Sequence, residues 1–389
     1  MTRTKTIQLV QPDGSLYSYA LVGAALEVPK DLRFRKRIAF AAAHVVLDPL
    51  KTREPLTQPV IDWETTLAYR EYLWSLGLGV AEAMDTAQRG MGLGWPQALE
   101  LIQRSVRAAK ARGGKIASGA GTDQLQAASG LTLQQVTDAY LEQCAAIEAA
   151  GSQIILMASR ALARVAKSVD DYARVYGEIL RQVKEPVLLH WLGPMFDPEL
   201  EGYWGGATIA EAMDNCLEII RANPTKIDGI KISLLDAELE VEMRSRLPES
   251  VHMYTGDDFN YDRLIAGDDK GYSHALLGIF DPIAPAAALA LSALDHDDME
   301  RYRKILEPTV PLSRHIFAAP TYYYKTGVVF LAYLNGFQKH FRMICGLEAA
   351  RSLAHLCELF VLADKASLLR DPDLALVRMR NILLLSGVA

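Results

Sequence analysis

The chain has 389 residues, 50% of them hydrophobic and 23% charged, which excludes wholesale disorder and leaves room for one large barrel domain or two average ones. A formal net charge of −6 offers no global attraction to nucleic acid or to an anionic membrane, and no run of about 18 apolar residues suits a membrane span. Cys144, Cys216, Cys345 and Cys357 are scattered with no CxxC pair, the pattern of reduced thiols in a cytoplasmic protein. The basic start Met1-Thr2-Arg3-Thr4-Lys5 leads into no uninterrupted apolar segment, so no signal peptide is expected.

The first element is a hairpin over residues 5–21. Ile7, Leu9 and Val10 run into the turn Gln11-Pro12-Asp13-Gly14, and Leu16-Tyr17-Ser18-Tyr19 returns. After a basic cluster at 33–37 a strand is expected over 38–46. Helical patterns at 63–76, 96–112, 133–149, 169–183, 208–222 and 238–246 then separate short apolar runs at 80–84, 115–118, 153–158, 187–190, 227–233, 252–255 and 272–278. Eight strands with intervening helices predict an α/β fold, a (β/α)8 TIM barrel, with a doubly wound sheet as the alternative. Helices expected at 285–294, 298–312, 326–334, 348–368 and 373–385 exceed what closure of a barrel needs. They predict a C-terminal helical extension or an oligomer surface. The expected organisation is therefore a hairpin extension at 1–36, a barrel at 37–295 and a helical extension at 296–389, all within one domain.

One residue breaks the apolar pattern of its strand. In Ile227-Asp228-Gly229-Ile230-Lys231-Ile232-Ser233 the lysine sits mid-run, where an ammonium group is costly unless it faces a polar cavity. A desolvated amine loses proton affinity and becomes the nucleophile that Schiff-base chemistry requires. A lysine that snorkels to solvent is the bland alternative. In a barrel, reactive groups project from the C-terminal ends of the strands. Those ends carry His44; Asp85 and Thr86, with Glu82 inside the strand; Ser118 to Thr122; Ser159 and Arg160; His190; Lys231; Asp257 and Asp258; and His274, Phe280 and Asp281. Two chemistries fit. Lys231 forms an imine with His190 as its acid/base, or His44, Glu82, Asp85, His190, Asp257 and His274 hold a divalent metal. The metal reading has no HxH or HExxH spacing behind it, so no metal or other cofactor is expected.

Five segments in register resemble the dihydrodipicolinate synthase/N-acetylneuraminate lyase family of class I aldolases. Gly229-Ile230-Lys231-Ile232-Ser233 is similar to the family's lysine strand, and Tyr254-Thr255-Gly256-Asp257-Asp258 to its SGDD. Residues 186–194 (PVLLHWLGP) are similar to its strand five, Ile61-Asp62 to its ID start, and residues 115–121 (KIASGAG) to its strand three. The resemblance implies Lys231 as Schiff-base lysine and places His190 where the family has a tyrosine relay. It sets Asp85-Thr86-Ala87-Gln88-Arg89 against the carboxylate-binding GTTGE loop. There Thr86 keeps one hydroxyl, while Asp85 replaces a glycine and would repel a carboxylate. Alternatively Asp85 caps the helix that follows, or pairs with Arg89.

The expectation is thus a carbon–carbon lyase, with Lys231 and His190 catalytic and Asp85, Thr86, Gly119, Arg160, Asp257 and Phe280 binding substrate. Its partner is a small hydroxylated keto compound, sugar-derived, and the chain itself is expected to form a homo-dimer or homo-tetramer. A metal-dependent hydrolase or isomerase, and a non-catalytic ligand-binding barrel, are the alternatives.

Overall fold

Short buried runs that alternate with amphipathic stretches close here into a ring of parallel strands. The computed structural model describes residues 5–29, 32–125 and 130–388; Met1 to Thr4 of the basic start lie outside them. β1 (Thr6–Val10) and β2 (Leu16–Ala20) pair antiparallel, with Ile7 opposite Tyr19 and Leu9 opposite Tyr17. β3 (Ala39–Ala42), β4 (Gly79–Glu82), β5 (Ile116–Ala120), β6 (Gln153–Met157), β7 (Val187–Leu192), β8 (Ile227–Ser233), β9 (His252–Thr255) and β10 (His274–Leu277) form a closed barrel. Each strand pairs parallel with the next in chain order, and β10 returns to β3. This is the (β/α)8 barrel that the alternation predicts, preceded by the hairpin and followed by helices.

The helices are α1 (Trp63–Ser75), α2 (Trp95–Arg112), α3 (Leu133–Ala150), α4 (Arg160–Val165), α5 (Val169–Gln182), α6 (Ile209–Ala222), α7 (Ala237–Arg246), α8 (Tyr261–Ala266), α9 (Ala284–Asp295), α10 (Met299–Leu306), α11 (Val310–Ile316), α12 (Lys325–Leu334), α13 (Leu353–Lys365) and α14 (Pro372–Leu385). Their limits follow local chemistry. Asp62 caps α1 by accepting the Thr65 N–H, and Thr132 with Gln135 makes a reciprocal capping box on α3. The expected helix over 298–312 is in fact two. Pro308 has no N–H to donate, so α10 stops at Leu306, a 3-10 turn covers 307–309 and α11 follows. The expected helix over 348–368 begins only at α13, where Ser352 caps it, because residues 344–350 run as 3-10 turns broken by positive φ at Cys345 and Gly346. α4 and α8 have six residues each, too few for a 3.6-residue period to register.

Internal contacts divide the chain into two compact units: Met1–Lys36 with His44–Leu78 and Ile279–Ala389, and Arg37–Ala43 with Gly79–Gly278. This division differs from the expected boundaries, since 44–78 and 279–295 group with the terminal segments and the second unit keeps every barrel strand. In the first unit the Asp364 carboxylate of α13 accepts the Tyr19 hydroxyl at 2.7 Å and the Val22 N–H at 2.8 Å, which fastens the hairpin's outgoing strand. In the second unit the barrel core is built from Phe40, Ala42, Ala81, Ala117, Ile155, Leu188, Tyr254 and Leu276. Small residues make room for the two rings: a Cβ at Gly79 would lie 2.5 Å from the Phe40 ring. No helix of the described residues is long and apolar enough to cross a membrane.

Candidate active site

β8 is hydrogen-bonded on both sides, with Lys231 opposite His190 on β7 and Tyr254 on β9. Strand alternation puts Lys231 and Ser233 on the same face. The chain crossing in front of them is Gly256, where a Cβ would stand 2.3 Å from Ser233 Oγ and 2.6 Å from Lys231 Cε. Glycine at 256 is thus a spatial requirement of the lysine's position. Lys231 is 5% exposed. Among the described residues its ammonium nitrogen has no hydrogen-bond or ion-pair partner. Burial lowers its pKa below the usual 10.5, against the opposing pull of the Asp85 and Asp258 charges.

His190 is fully enclosed. Burial first, and the neighbouring Lys231 charge second, hold its pKa well below 6.5, with Asp85 acting the other way. Its imidazole is therefore neutral at physiological pH. Nε2 lies 3.3 Å from Ser233 Oγ, on the strand face that also carries Lys231.

Asp85 opens a 3-10 turn (Asp85–Ala87) just past β4, with Thr86 buried in the same turn. The turn follows Ala83, a non-glycine residue at φ 54, whose N–H the Glu82 carboxylate accepts at 2.9 Å. Arg89, at the end of this loop, does not pair with Asp85. Its guanidinium donates to both Asp123 oxygens (2.8 and 2.7 Å), to Gln143 Oε1 (2.6 Å) and to the Ala83 and Gly119 carbonyls (3.3 and 3.0 Å). Those bonds use all five of its N–H groups.

The remaining candidates divide. Gly119 packs against protein, since a Cβ there would lie 2.8 Å from Met157 Sδ and 3.0 Å from Met84 Sδ. The Asp257 carboxylate faces its own loop and accepts the Phe259 and Asn260 N–H groups and the Asn260 side-chain amide. Its neighbour Asp258 is the one whose charge acts on Lys231. Arg160 is ion-paired with Asp197 at 2.6 Å and stands 3.6 Å from Glu199. Phe280 is fully buried and belongs to the first unit. The second unit thus gathers Lys231, His190 and Asp85, and adds Asp258 and Ser233, which the expected set omits. Period-two alternation from Lys231 points to Ser233, and the doubled aspartate of the SGDD-like segment points to Asp258.

Two of the three histidines of the metal alternative, His44 and His274, are engaged elsewhere. His274 Nδ1 accepts the Ile38 N–H at 3.0 Å. In the first unit, His44 Nδ1 is 2.8 Å from Asp281 Oδ2, and Tyr69 donates to that carboxylate's other oxygen at 2.9 Å. No group of three or more His, Cys, Asp or Glu among the described residues is arranged to hold a metal ion.

These features define a (β/α)8 barrel with a desolvated lysine on its sixth strand. The chain belongs to the family described as "Protein of unknown function (DUF993)", which matches residues 7–388. Its fold is that of the dihydrodipicolinate synthases. The enzyme from Aquifex aeolicus is 14% identical with a TM-score of 0.61 over 90% of this chain and 98% of its own. The one from Bacillus clausii is 15% identical, TM-score 0.61, over 84% and 96%. The one from Bacteroides thetaiotaomicron is 14% identical, TM-score 0.61, over 86% and 99%. At these identities the likeness is one of fold, and it agrees with the resemblance carried by the five sequence segments. Comparison with curated proteins by sequence gives no match.

Proposed function

We propose that this protein is a Schiff-base carbon–carbon lyase of the class I aldolase type, acting on a small, neutral, hydroxylated keto compound through an imine on Lys231. The observation that carries the reading is a mid-strand lysine, 5% exposed and with no direct partner among the described residues. An amine in that state is held neutral far more readily than a solvated one, and only the neutral amine attacks a carbonyl. Attack and loss of water give a protonated imine. Removal of a proton from the substrate's β-hydroxyl then lets its O–H electron pair form an aldehyde. The C–C bond breaks, and its pair flows to the imine nitrogen as an enamine. Protonation of that enamine and hydrolysis return the ketone and the free lysine. His190, neutral and beside Lys231, is the proton carrier in this scheme, and Thr86 and Asp85 hydrogen-bond substrate hydroxyls.

The charges near Lys231 support a neutral substrate. Asp85 and Asp258 are the carboxylates that act on it, and the guanidinium of the strand-two loop has no N–H left for a substrate carboxylate. A sugar-derived ketone, a homo-oligomeric assembly and a cytoplasmic setting belong to the same reading; the four free cysteines are in keeping with the last. Borohydride reduction in the presence of a panel of keto-sugars and keto acids tests the central claim. A stable mass is expected on the peptide bearing Lys231 and is expected to be absent from Lys231→Arg, because a guanidinium is too basic to serve as this nucleophile. Undiminished turnover by Lys231→Arg would end the proposal.

A further inference from the structure

Two glycines, Gly119 and Gly121, stand at the end of β5, and the proposed chemistry uses neither. The space above them is filled by a thioether. A Cβ at Gly119 would stand 2.8 Å from Met157 Sδ, and one at Gly121 would stand 3.2 Å from Met157 Cε. The methionine side chain therefore lies along β5, across both positions. Met84, just past β4, closes the same place with its Sδ 3.0 Å from the Gly119 position.

Met157 ends β6 in a row that runs through the candidate site. It pairs with His190, His190 with Lys231, and Lys231 with Tyr254. Tyr254 belongs to the barrel core and Met157 packs against that core, so the row faces the barrel interior. His190, Lys231 and Tyr254 are buried, whereas Met157 is partly exposed. Its strand ends at the C-terminal mouth of the barrel, and the exposed part of an inward side chain there looks into the mouth. Such a thioether offers no donor and only a weak acceptor.

We propose that Met157 is a specificity-determining residue, an apolar wall two strands from Lys231, and that the substrate is a neutral hydroxy-ketone whose other arm is an unsubstituted alkyl group. This role rests on the imine at Lys231. A ketone joined to the lysine extends two arms from its carbonyl carbon. An arm near Asp85 and Asp258, the carboxylates whose charges act on Lys231, meets acceptors for its hydroxyls. An arm against Met157 meets none. A hydroxyl held there without a partner loses about tenfold in binding, and each methylene group covered there gains about fourfold.

Half-saturating concentrations for borohydride trapping on Lys231 of the full chain read the wall. The probes are hydroxyacetone, 1-hydroxybutan-2-one and dihydroxyacetone, which share one hydroxymethyl arm and differ in the other (methyl, ethyl or hydroxymethyl). Wild type is expected to favour hydroxyacetone over dihydroxyacetone, and 1-hydroxybutan-2-one over both. Met157→Gln keeps the length and supplies an amide donor and acceptor. It is expected to lower the preference for hydroxyacetone over dihydroxyacetone by about tenfold. Comparing one protein with the other cancels the ketones' own differences in carbonyl reactivity. Met157→Leu, which keeps the wall apolar, is expected to hold the wild-type preference within about twofold. A second readout needs no variant. Saturating 1-hydroxybutan-2-one is expected to slow peroxide conversion of Met157 to its sulfoxide by about fivefold, measured by peptide mass spectrometry. A wild type that traps none of these ketones ends the lyase reading and the wall with it. Trapping with a preference that Met157→Gln leaves unmoved, or a sulfoxide rate that the ketone does not change, would overturn the wall alone.

Discussion

Among the described residues of the barrel unit two cations are buried, Arg89 and Lys231, and the protein treats them in opposite ways. The Arg89 guanidinium has a partner for each of its five N–H groups, and it ties the loop after β4 to the loop after β5 through Asp123, Gln143 and two carbonyls. Lys231 has its charge modulated by Asp85 and Asp258 but makes no hydrogen bond or ion pair among the described residues. Full pairing offsets desolvation and leaves a permanent charge that locks geometry. Unpaired burial leaves the desolvation uncompensated, and the amine answers by shedding its proton. A buried cation with complete partners is architecture, and one without them is available for chemistry.

Breaking the paired cation is expected to have the larger effect on stability. Arg89→Met removes the guanidinium from Asp123, a partly exposed carboxyl, and from Gln143 and two carbonyls. Burial works to raise that group's pKa, and the Arg89 hydrogen bond and charge outweigh it. Loss of the buried guanidinium, which leaves the Gly119 and Ala83 carbonyls and Gln143 Oε1 short of a donor, is expected to cost about 1–3 kcal/mol, measured by denaturant unfolding, and Arg89→Lys recovers little because three donors cannot replace a five-donor fork. A loss below about 1 kcal/mol would mean that Asp123 finds water instead, and that the comparison overstates pairing.

The strand-two loop offers a third case, in which the proposed role of the Asp85 charge is to select substrate. Asp85 stands where the resembling family has a glycine, and a fixed anion a few ångströms from a substrate carboxylate disfavours it by on the order of a few kcal/mol at intermediate dielectric. Asp85→Gly combined with Ala87→Thr is expected to shift preference from neutral keto-sugars towards α-keto acids by about two decades in relative kcat/KM. A wild type that processes pyruvate efficiently and ignores neutral keto-sugars would defeat this. A double variant that only loses stability would mark Asp85 as a structural residue of its turn.

The contrast between the cations was half legible in the sequence. Period-two alternation exposes Lys231 as the misfit of an apolar strand, and strand count, the limits of most longer helices and the barrel follow from hydrophobic period and caps. The pairing of Arg89 is not legible, because its partners stand 34 and 54 positions away and are brought near only by the register of β4 against β5. Asp257 and Asp258 are indistinguishable as neighbours in sequence. Only the loop's own N–H groups decide that Asp257 turns inward on its turn. Arg160 reads as a rim cation until Asp197, in a later loop, claims it.

The smallest expected effect tests the comparison from its other side. If Lys231 is desolvated without compensation, it lowers stability wherever the unfolded chain would keep its proton. A lowered folded pKa means that the unfolded state binds the extra proton more tightly. The cost is thus absent above the unfolded value of 10.5, grows as pH falls from 10.5 towards the lowered folded value, and is constant below that. Lys231→Met keeps the length and apolar stem and removes the titrating group. It is expected to raise stability at pH 7 by on the order of 1 kcal/mol while imine trapping disappears, and the rise of wild-type stability with pH between the two values is expected to be missing from the variant. Denaturant midpoints at pH 7 and pH 10 measure both. A variant less stable than wild type at pH 7 would mean that the ammonium is well solvated or paired in solution, and Lys231 would then fall in the same class as Arg89.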